Sequence, residues 1–233
     1  MPSKPKLRPV TVTIDGPGGV GKSTVAKLLA QRLGVMYLDT GATYRSLAYE
    51  AHRRGLNEVL DAKRIVSLAR RLPLRLEPAA GGTLRVWLGA DEVTEQIRTE
   101  KISEAAAVIS QYPDVRAAMV RLQRGLADRH GVVVEGRDTG SVVFPQAAYK
   151  FFLDADPAVR ARRRQRELQK RYGGEMPLRQ VKEQLEYRDD LDRTRRVGPL
   201  IKPKGAVAIN TSRLSAAQVV GRMLRHIAGR RGR

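Results

Sequence analysis

Short apolar runs alternate with longer stretches of helical periodicity along most of the chain. The runs are rich in Val, Ile and Phe, which is typical of buried strands. Five strands are predicted from this pattern, at residues 10–14, 35–39, 131–138, 147–156 and 206–210. Because helical segments separate them, we expect these strands to be parallel, and a parallel sheet is covered by helices on both faces. The pattern therefore predicts an α/β fold built on a five-stranded parallel sheet.

The segments between and after these strands have helical spacing of their apolar residues. They are residues 23–33, 41–55, 61–72, 98–111, 112–131, 157–174, 178–196 and 211–229. Thr40 is the predicted N-cap of the second helix, which we expect to end at Gly55. The first strand, the first helix and the second strand follow one another within about 30 residues, which is typical of a βαβ unit.

The middle of the chain departs from this alternation. Two runs of alternating apolar and polar residues, within 73–89, flank a Gly-Gly pair. Such a pattern predicts a β-hairpin, which a strict alternation of strands and helices would not contain. We therefore expect Lys63–Ile97 to be a small α+β insertion in a larger α/β domain.

The composition adds one strong signal, a formal net charge of +20 in 233 residues. Most of the 44 basic residues are arginines, whose planar guanidinium binds phosphate oxygens in pairs. An anionic partner would explain the charge, and it could be a nucleic acid or a small phosphorylated ligand. Arginine on solvated surfaces, favoured by a GC-rich or heat-adapted genome, would explain the charge equally well.

Three further features limit the setting of the protein. Cysteine does not occur, which excludes disulfides and cysteine-bound metals. No apolar run approaches the roughly 18 residues of a membrane span, and no signal-type apolar stretch follows the basic N-terminus. We expect a short disordered tail over residues 1–9, followed by a cytoplasmic protein without a membrane partner.

The segment GPGGVGKS (Gly16–Ser23) fits the phosphate-binding pattern G-x-x-x-x-G-K-[ST] and lies between a predicted strand and a predicted helix. Backbone N–H groups from Gly18 to Lys22 would surround a β-phosphate at the positive end of the helix. Lys22 would reach the β- and γ-phosphates, and the Ser23 hydroxyl would bind Mg²⁺. The simpler interpretation is a glycine-rich turn without chemistry. The predicted ATP-binding residues of this loop are Gly16, Pro17, Gly18, Gly19, Val20, Gly21, Lys22, Ser23 and Thr24.

Other motifs indicate which kind of P-loop protein this is. The guanine-reading N-K-x-D element of GTPases does not occur in the sequence. DRHG at 128–131 matches their D-x-x-G only by letter, because it precedes a predicted strand instead of following one. The chain is also too short for the additional sheet of RecA-like motors. These exclusions favour a compact kinase whose acceptor site is formed at the other strand ends, where open α/β sheets bind ligands.

Three polar clusters lie after strands or near a helix end, where an acceptor site is expected. They are DTGATYR at 39–45, EGRDTGSVVFP at 135–145 and YRDDLDRTRR at 187–196. The first cluster places the Thr40 hydroxyl and Arg45 on one face of the first turns of a helix. Its simpler interpretation is a capping hydroxyl followed by a solvated arginine.

The other two clusters contain neighbouring opposite charges. Arg188 and Asp192 are spaced i, i+4, so an ordinary ion pair on a helix surface would explain them. Arg137 and Asp138 directly follow an apolar strand, and a charge that is buried there needs a partner. The Arg137–Asp138 pair therefore indicates a site more strongly than the pair on the helix.

The chain resembles the bacterial cytidylate kinases, a branch of the nucleoside monophosphate kinases, over nearly its whole length. The resemblance rests on IDGPGGVGKST, LDTGATYR, VTEQIRT, PDVR, GRDTGSVVFP and RDDLDRTR, and on the hairpin insertion. It implies that Thr40, Arg45 and Arg137 hold the phosphate of the acceptor. It further implies that Arg116 and Asp138 read cytosine.

The same resemblance implies roles for the cluster at 187–196. Arg188 and Asp192 resemble residues that contact the sugar and the phosphate, and Arg195 resembles a transition-state contact. The predicted catalytic set is therefore Lys22, Arg137, Arg188 and Arg195.

A division of the chain follows from these assignments. We expect a single P-loop kinase domain over residues 1–233, with its core at 10–39, 131–155 and 197–230. The acceptor-binding region with its insertion is expected at 40–130, and a helical lid at 156–196. The basic helix of the lid, with Arg160, Arg163 and Arg164, would close over ATP and exclude water. A solvated basic helix is the alternative interpretation.

The implied activity is transfer of the γ-phosphoryl group of ATP, with Mg²⁺, to CMP or dCMP, giving ADP and CDP or dCDP. Another small-molecule P-loop kinase, acting on AMP, UMP or shikimate, is the nearest alternative. A nucleic-acid-binding ATPase is a further one, although stacking surfaces need aromatic residues and these are only 5% of the chain. We expect a monomer that requires no nucleic acid.

One position departs from the family pattern. Many members have a serine where this chain has Ala107, and that hydroxyl helps to hold the base. Ser103 and Ser110 lie about one turn before and after Ala107, so either could supply the missing hydroxyl. The departure concerns the selection of cytosine and leaves the kinase assignment unchanged.

Overall fold

A central parallel sheet carries the fold. The computed structural model describes residues 10–79, 82–127, 131–174 and 176–231. In chain order the elements are β1 (Thr11–Asp15), α1 (Lys22–Leu33), β2 (Met36–Asp39), α2 (Thr40–Arg53), α3 (Ala62–Arg70), β3 (Leu74–Ala79), β4 (Thr83–Leu88), β5 (Asp91–Glu92), α4 (Glu100–Ile109), α5 (Pro113–Ala127), β6 (Val132–Gly136), β7 (Tyr149–Asp154), α6 (Pro157–Tyr172), α7 (Leu178–Thr194), β8 (Val207–Asn210) and α8 (Ala216–Arg231). The central sheet has the order β2-β6-β1-β7-β8, and every neighbouring pair in it is parallel. The predicted five-stranded parallel sheet is confirmed.

Helices pack around this sheet. α1 packs against α8, α2 against α4, and α3 against α5. The strands are short and apolar, as expected for strands that are covered by helices. Every residue of β6 is buried, and Val12 and Ile14 of β1 are inaccessible to solvent. Burial of these strands explains why the sequence shows continuous apolar runs instead of alternation.

The predicted hairpin is present as an antiparallel sheet with the order β3-β4-β5. Residues 80 and 81, between β3 and β4 in the sequence, lie outside the described ranges. Leu76, Val86 and Leu88 belong to the same buried apolar cluster as the strands of the central sheet. The inserted hairpin is therefore packed onto the main core and has no separate core of its own.

Helices α6 and α7 form a hairpin with a small apolar cluster between them. Ala161 and Leu168 of α6 pack against Val181 and Leu185 of α7. Both helices lie within 156–196, the segment predicted to be a lid. A unit with its own apolar contacts can keep its shape if it moves relative to the core, which is what a lid requires.

The start of α2 differs from the prediction. Its N-cap is Asp39, whose Oδ1 accepts a hydrogen bond from Ala42 N at 3.1 Å. The prediction that Thr40 is the N-cap is therefore wrong. Thr40 is the first helical residue, and its hydroxyl donates a hydrogen bond to Glu135 O at 2.7 Å. A carboxylate one residue earlier satisfies the free N–H groups of the helix, so the threonine hydroxyl is left to tie β2 to β6.

Most of the other elements are also somewhat shorter than predicted, and two of these differences bear on the site or the core. α8 begins at Ala216 instead of 211, and the strand predicted at 131–138 ends at Gly136, with a π-helical turn at Thr139–Val143. The predicted tail at 1–9 and residues 128–130 of the DRHG segment lie outside the described ranges. Within those ranges, no helix combines the length and the apolar content that a membrane crossing needs.

Candidate active site

Polar residues follow the carboxyl ends of three adjacent strands in the central sheet. β1 leads into the Gly16–Ser23 loop, β2 ends at Asp39, and β6 is followed by Arg137 and Asp138. β1 pairs with β6 on one side and with β7 on the other. The phosphate loop therefore lies beside the segment that follows β6, at the edge where open α/β sheets bind their ligands.

The Gly16–Ser23 loop has a backbone conformation that favours glycine. Gly16 and Gly21 have φ angles of 152° and 90°, and a Cβ on Gly16 would lie 2.1 Å from Leu153 O. α1 begins directly after Gly21, and no side chain in the described ranges caps its first turn. The first N–H groups of α1 and the positive end of its dipole are therefore available to a phosphate.

Lys22 is buried at the start of α1. Its Nζ donates a hydrogen bond to Pro17 O at 2.7 Å. Burial, followed by the nearby charge of Arg137, lowers the pKa of Lys22 to about 7. An anion bound beside Nζ would reverse this shift, because it favours the ammonium form. Lys22 thus links the phosphate loop electrostatically to the segment after β6.

Ser23 and Glu135 provide oxygen atoms beside Lys22. Ser23 is exposed in the first turn of α1, and its side chain is near the buried carboxylate of Glu135. Burial raises the pKa of Glu135, the charge of Asp39 raises it further, and the nearby Ser23 side chain lowers it in part. Tyr37 Oη donates a hydrogen bond to Glu135 Oε1 at 2.6 Å. A hydroxyl and a carboxylate next to a phosphate site fit the oxygen ligands that Mg²⁺ prefers, so Ser23 is a suitable metal ligand.

Asp15 ties the phosphate loop to the segment that follows β6. It is fully buried at the end of β1, and its Oδ1 and Oδ2 accept hydrogen bonds from Thr139 N and Gly140 N at 2.7 and 2.8 Å. Thr139 Oγ1 donates a third hydrogen bond to Oδ1 at 2.7 Å. Burial raises the pKa of Asp15. These bonds hold the backbone just after Arg137 at a fixed position relative to the loop.

A chain of ion pairs connects five of the predicted acceptor residues. Arg137 Nε lies 2.7 Å from Asp192 Oδ2, and Asp192 Oδ1 lies 3.1 Å from Arg195 Nη1. Arg195 Nη2 lies 3.3 Å from Asp138 Oδ1, and Asp138 Oδ2 pairs with Arg116. The residues come from α5, from the segment after β6 and from the end of α7. The fold therefore brings together side chains that are far apart in the sequence.

Within this chain of ion pairs, the Arg116–Asp138 pair is the most buried. Its side chains are 1% and 8% exposed. The Arg116 guanidinium lies 5.6 Å from the ring centroid of Tyr44, and its Nη1 donates a hydrogen bond to Ser110 O at 3.4 Å. Its Nε is buried and has no hydrogen-bond partner among the described residues. Such a pair, with donor capacity left over, can recognise a polar base.

Thr40 and Arg45 are in the first two turns of α2, which begins directly after β2. Arg45 Nη2 pairs with Asp39 Oδ2 at 2.8 Å, and the Thr40 hydroxyl is bound to the Glu135 carbonyl, as described above. Within the described ranges, the buried Nε of Arg45 also has no hydrogen-bond partner. Arg45 is therefore a cation at the site edge that can still bind an anion.

Arg188 pairs with a residue outside its own helix. Its Nη2 lies 2.7 Å from Glu100 Oε2 of α4, and Arg164 of α6 pairs with the same carboxylate. The carboxylate of Asp192 is bound instead by the arginines of the ion-pair chain. The simple helix-surface pairing of Arg188 with Asp192 is therefore wrong. Arg188 and Arg164 form a second cluster, where α4 meets the α6–α7 hairpin.

The other two predicted lid arginines contact the phosphate loop directly or through one residue. Arg160 Nη1 donates a hydrogen bond to Gly18 O at 3.1 Å. Arg163 Nη1 donates one to Thr211 Oγ1 at 2.9 Å, and that hydroxyl donates to the Val20 carbonyl of the loop at 3.0 Å. The basic helix α6 is thus not simply solvated, because its arginines hold the loop that it was predicted to cover.

Sequence reasoning missed four carboxylates that organise the site: Asp15, Glu100, Glu135 and Asp189. Asp15 and Glu135 end apolar strands, so the rule that a buried charge needs a partner could have indicated them. Asp189 follows Arg188 in a motif that was noticed for its neighbours. Glu100 gave no signal, because its partners lie on α6 and α7 and no local pattern reveals such a contact.

Comparisons with known proteins identify the family. Residues 12–229 match the protein-family model described as cytidylate kinase. The chain is 44% identical, over 92% of its length and 92% of the relative's, to a cytidylate kinase of Caldanaerobacter subterraneus subsp. tengcongensis. It is 43% identical to a cytidylate kinase of Pelotomaculum thermopropionicum, over 94% of this chain and 97% of that one. The similarity spans the phosphate loop, the acceptor region and the α6–α7 hairpin alike.

Among solved structures, the chain is similar to an uncharacterized protein from Eubacterium ventriosum ATCC 27560. The TM-score is 0.52 at 10% identity, with 95% of this chain and 99% of that chain covered. At this level of identity, the similarity concerns the fold alone.

Proposed function

Because this chain belongs to the cytidylate kinase family, we propose that it transfers the γ-phosphoryl group of ATP to CMP or dCMP, giving ADP and CDP or dCDP. The ion-pair chain beside the phosphate loop carries the proposal. At one end Arg137 offers a cation suited to an acceptor phosphate, and at the other Arg116 and Asp138 form a buried pair suited to a polar base. A nucleoside monophosphate has both of these parts.

The acceptor would attack through an oxygen of its own phosphate. That oxygen is already ionised at neutral pH, so no general base is required. The protein must instead align two anions that repel each other. Lys22 would bind the donor phosphates, and Thr40, Arg45 and Arg137 would hold the acceptor phosphate. Arg188 and Arg195 would compensate for the charge of the transition state.

The arginines of the site hold carboxylates that a phosphate can replace. Arg45 is bound to Asp39 and Arg137 to Asp192. A phosphate oxygen makes the same charge-assisted hydrogen bonds as a carboxylate oxygen. Substrate binding can therefore exchange partners on guanidinium groups that are already partly buried and oriented, which lowers the cost of ordering them.

Mg²⁺ bound with ATP would supply further positive charge at the β- and γ-phosphates. Ser23 would bind this ion through its exposed hydroxyl, and Glu135 would orient that hydroxyl. The α6–α7 hairpin would cover ATP through Arg160 and Arg163. Covering the reacting groups excludes water, so that the phosphoryl group passes to the acceptor instead of being hydrolysed.

The Arg116–Asp138 pair supports a preference for cytosine. Cytosine accepts hydrogen bonds at O2 and N3 and donates them from its 4-amino group, which an arginine and a carboxylate complement. Uracil reverses the pattern at N3 and position 4, so buried groups would face groups of their own kind. We therefore expect CMP and dCMP to be better acceptors than UMP.

An acceptor panel tests the proposal. Release of ADP from ATP and Mg²⁺ is measured with CMP, dCMP, UMP, AMP and shikimate in turn. CMP or dCMP should give the highest kcat/KM, and a clear preference for AMP or shikimate would contradict the proposal. ATP hydrolysis that RNA or DNA stimulates, and that salt weakens steeply, would instead favour a nucleic-acid-dependent ATPase. The cytoplasmic location and the monomeric state stay predictions, which fractionation and light scattering can test.

A further inference from the structure

One buried carboxylate, Asp189 of α7, contacts the phosphate loop although no motif assigns it a role. Its Oδ1 accepts a hydrogen bond from Gly18 N at 2.9 Å. The side chain is only 1% exposed. A carboxylate on a backbone N–H of a phosphate-binding loop makes the kind of contact that the loop would make to a phosphate oxygen. Asp189 therefore needs a function that a solvated helix residue would not have.

Arg160 completes this contact from α6. It pairs with Asp189 Oδ2 and donates a hydrogen bond to Gly18 O. The Asp189–Arg160 ion pair thus binds both backbone groups of Gly18, since Asp189 accepts from its N–H and Arg160 donates to its C=O. The charge of Asp189 is compensated by Arg160, so triphosphate in the loop would meet a neutral pair and not a bare carboxylate.

Packing brings the same helix against the same loop residue. A Cβ on Gly18 would lie 2.8 Å from Leu185 Cδ2 of α7. Leu185 belongs to the apolar cluster that joins α6 to α7. The loop therefore contacts the lid hairpin as a unit, through an apolar contact and an ion pair together.

Three residues after Asp189, the same helix carries Asp192, which binds Arg137 on the acceptor side at 2.7 Å. Residues spaced i, i+3 lie on one face of a helix. One face of α7 therefore contacts the donor loop through Asp189 and the acceptor arginine through Asp192. Because both contacts are on α7, a shift of this helix at the Asp189 contact must also move the Asp192 contact with Arg137.

We propose that Asp189 is a positioning residue for phosphoryl transfer. With Arg160 it fixes the position of α7 against the phosphate loop. Through Asp192, α7 in turn fixes the position of the Arg137 side chain. The inference rests on the proposed function, because it assigns Asp189 to the alignment of the donor with the acceptor. It predicts that loss of the Asp189 charge loosens the lid over ATP and misplaces Arg137.

The test compares Asp189→Asn with Asp190→Asn in the full chain. Both changes remove one negative charge from α7 and keep the size of the side chain, but Asp190 is exposed. For Asp189→Asn we expect kcat with CMP to fall about 100-fold, the effect of a misplacement of about 1 Å, while KM for CMP changes little. ATP should bind more weakly in calorimetry, and ATP hydrolysis without CMP should rise relative to transfer. Asp190→Asn should match the wild type in each measurement.

The ratio of hydrolysis to transfer separates positioning from stability. A variant that is only less folded loses both rates in proportion, and such a result would overturn the proposal, as would kinetics equal to those of Asp190→Asn. If Asp189→Asn folds poorly, the double variant Asp189→Asn/Arg160→Gln replaces the ion pair with a neutral one. If Asp189 acts through its ion pair with Arg160, the double variant should lose as much kcat as Arg160→Gln alone. A clearly larger loss in the double variant would overturn the proposal. ATP binding and hydrolysis need no acceptor, so they decide the role of Asp189 even if CMP fails in the panel.

Discussion

Replacement of Arg137 by alanine is the most direct test of the acceptor site. Arg137 binds Asp192 and contributes to the lowered pKa of Lys22, so it lies between the donor loop and the ion-pair chain. An arginine that stabilises the transferring phosphoryl group contributes about 10³–10⁵ in kcat, or about 4–7 kcal/mol at about 1.4 kcal/mol for each factor of ten. We expect Arg137→Ala to lower kcat/KM for CMP by several orders of magnitude.

The same change should affect stability only slightly. The side chains of Arg137 and Asp192 are 29% and 16% exposed, and a partly exposed ion pair contributes about 0–1 kcal/mol. Asp192 also keeps its contact with Arg195 at 3.1 Å, so the change does not leave a carboxylate unpaired. The melting temperature should therefore fall by only a few degrees, in contrast to the loss of activity.

The assay follows ADP release at saturating ATP over a range of CMP concentrations. Arg137→Lys keeps the charge but loses the bidentate geometry, so it should recover only part of the activity. Arg179→Ala serves as the control, because Arg179 is on the exposed surface of α7. Turnover by Arg137→Ala within a few-fold of the wild type would refute the assignment of the acceptor site.

Three further predictions concern the base, the donor loop and its support. Ser110→Ala should raise KM for CMP about fivefold, whereas Ser103→Ala should not, since Ser110 is buried next to Arg116 and Ser103 is only partly buried, with its hydroxyl bound to Thr99 O. Because the pKa of Lys22 is about 7, ATP binding at pH 8 should take up close to one proton and at pH 6 very little, as measured by calorimetry in buffers of different ionisation enthalpy. Thr211→Val should lower the free energy of unfolding in urea by about 1 kcal/mol, because it removes the 3.0 Å hydrogen bond to Val20 O and leaves that carbonyl only the 3.5 Å contact from Arg163.

Each of these has a result that would contradict it. KM values equal to that of the wild type in both the Ser103 and the Ser110 variant would mean that neither hydroxyl replaces the one missing at Ala107. Binding heats at pH 8 that do not depend on the buffer would mean that Lys22 is already protonated there. Thr194→Val is the matched control for Thr211, since its hydroxyl is exposed and bonds only within α7. An equal loss of stability in both variants would exclude a special role for Thr211.

Much of the fold could be predicted because its signals are local. Continuous apolar runs mark strands that are buried on both sides, and the Gly-Gly pair marks the hairpin. That the hairpin shares the core of the central sheet could not be read from its own residues. The N-cap of α2 was misassigned because Asp39 and Thr40 are both good capping residues, and only the position of Glu135 decides between them.

The types of the site residues could be predicted, but their partners could not. The phosphate loop and the Arg137–Asp138 pair have sequence signatures, and both lie at the same edge of the sheet. The contact between Arg188 and Glu100 joins residues 88 positions apart, and no periodicity reports a contact of that range. Asp189 was not predicted either, because Arg188, Asp192 and Arg195 of the same motif already accounted for the resemblance of that motif to the family.

The buried carboxylate of Asp15 has a consequence for how such a protein can change. Its hydrogen bonds join the end of β1, which precedes the phosphate loop, to the backbone that follows β6. The distance between the phosphate loop and the segment after β6 is therefore fixed at the central sheet. Arg116, which we propose to read the base, is on α5 and takes no part in these hydrogen bonds. A scaffold of this kind can acquire a different acceptor through substitutions on α5, while Asp15 keeps the backbone spacing between the phosphate loop and the segment after β6 unchanged.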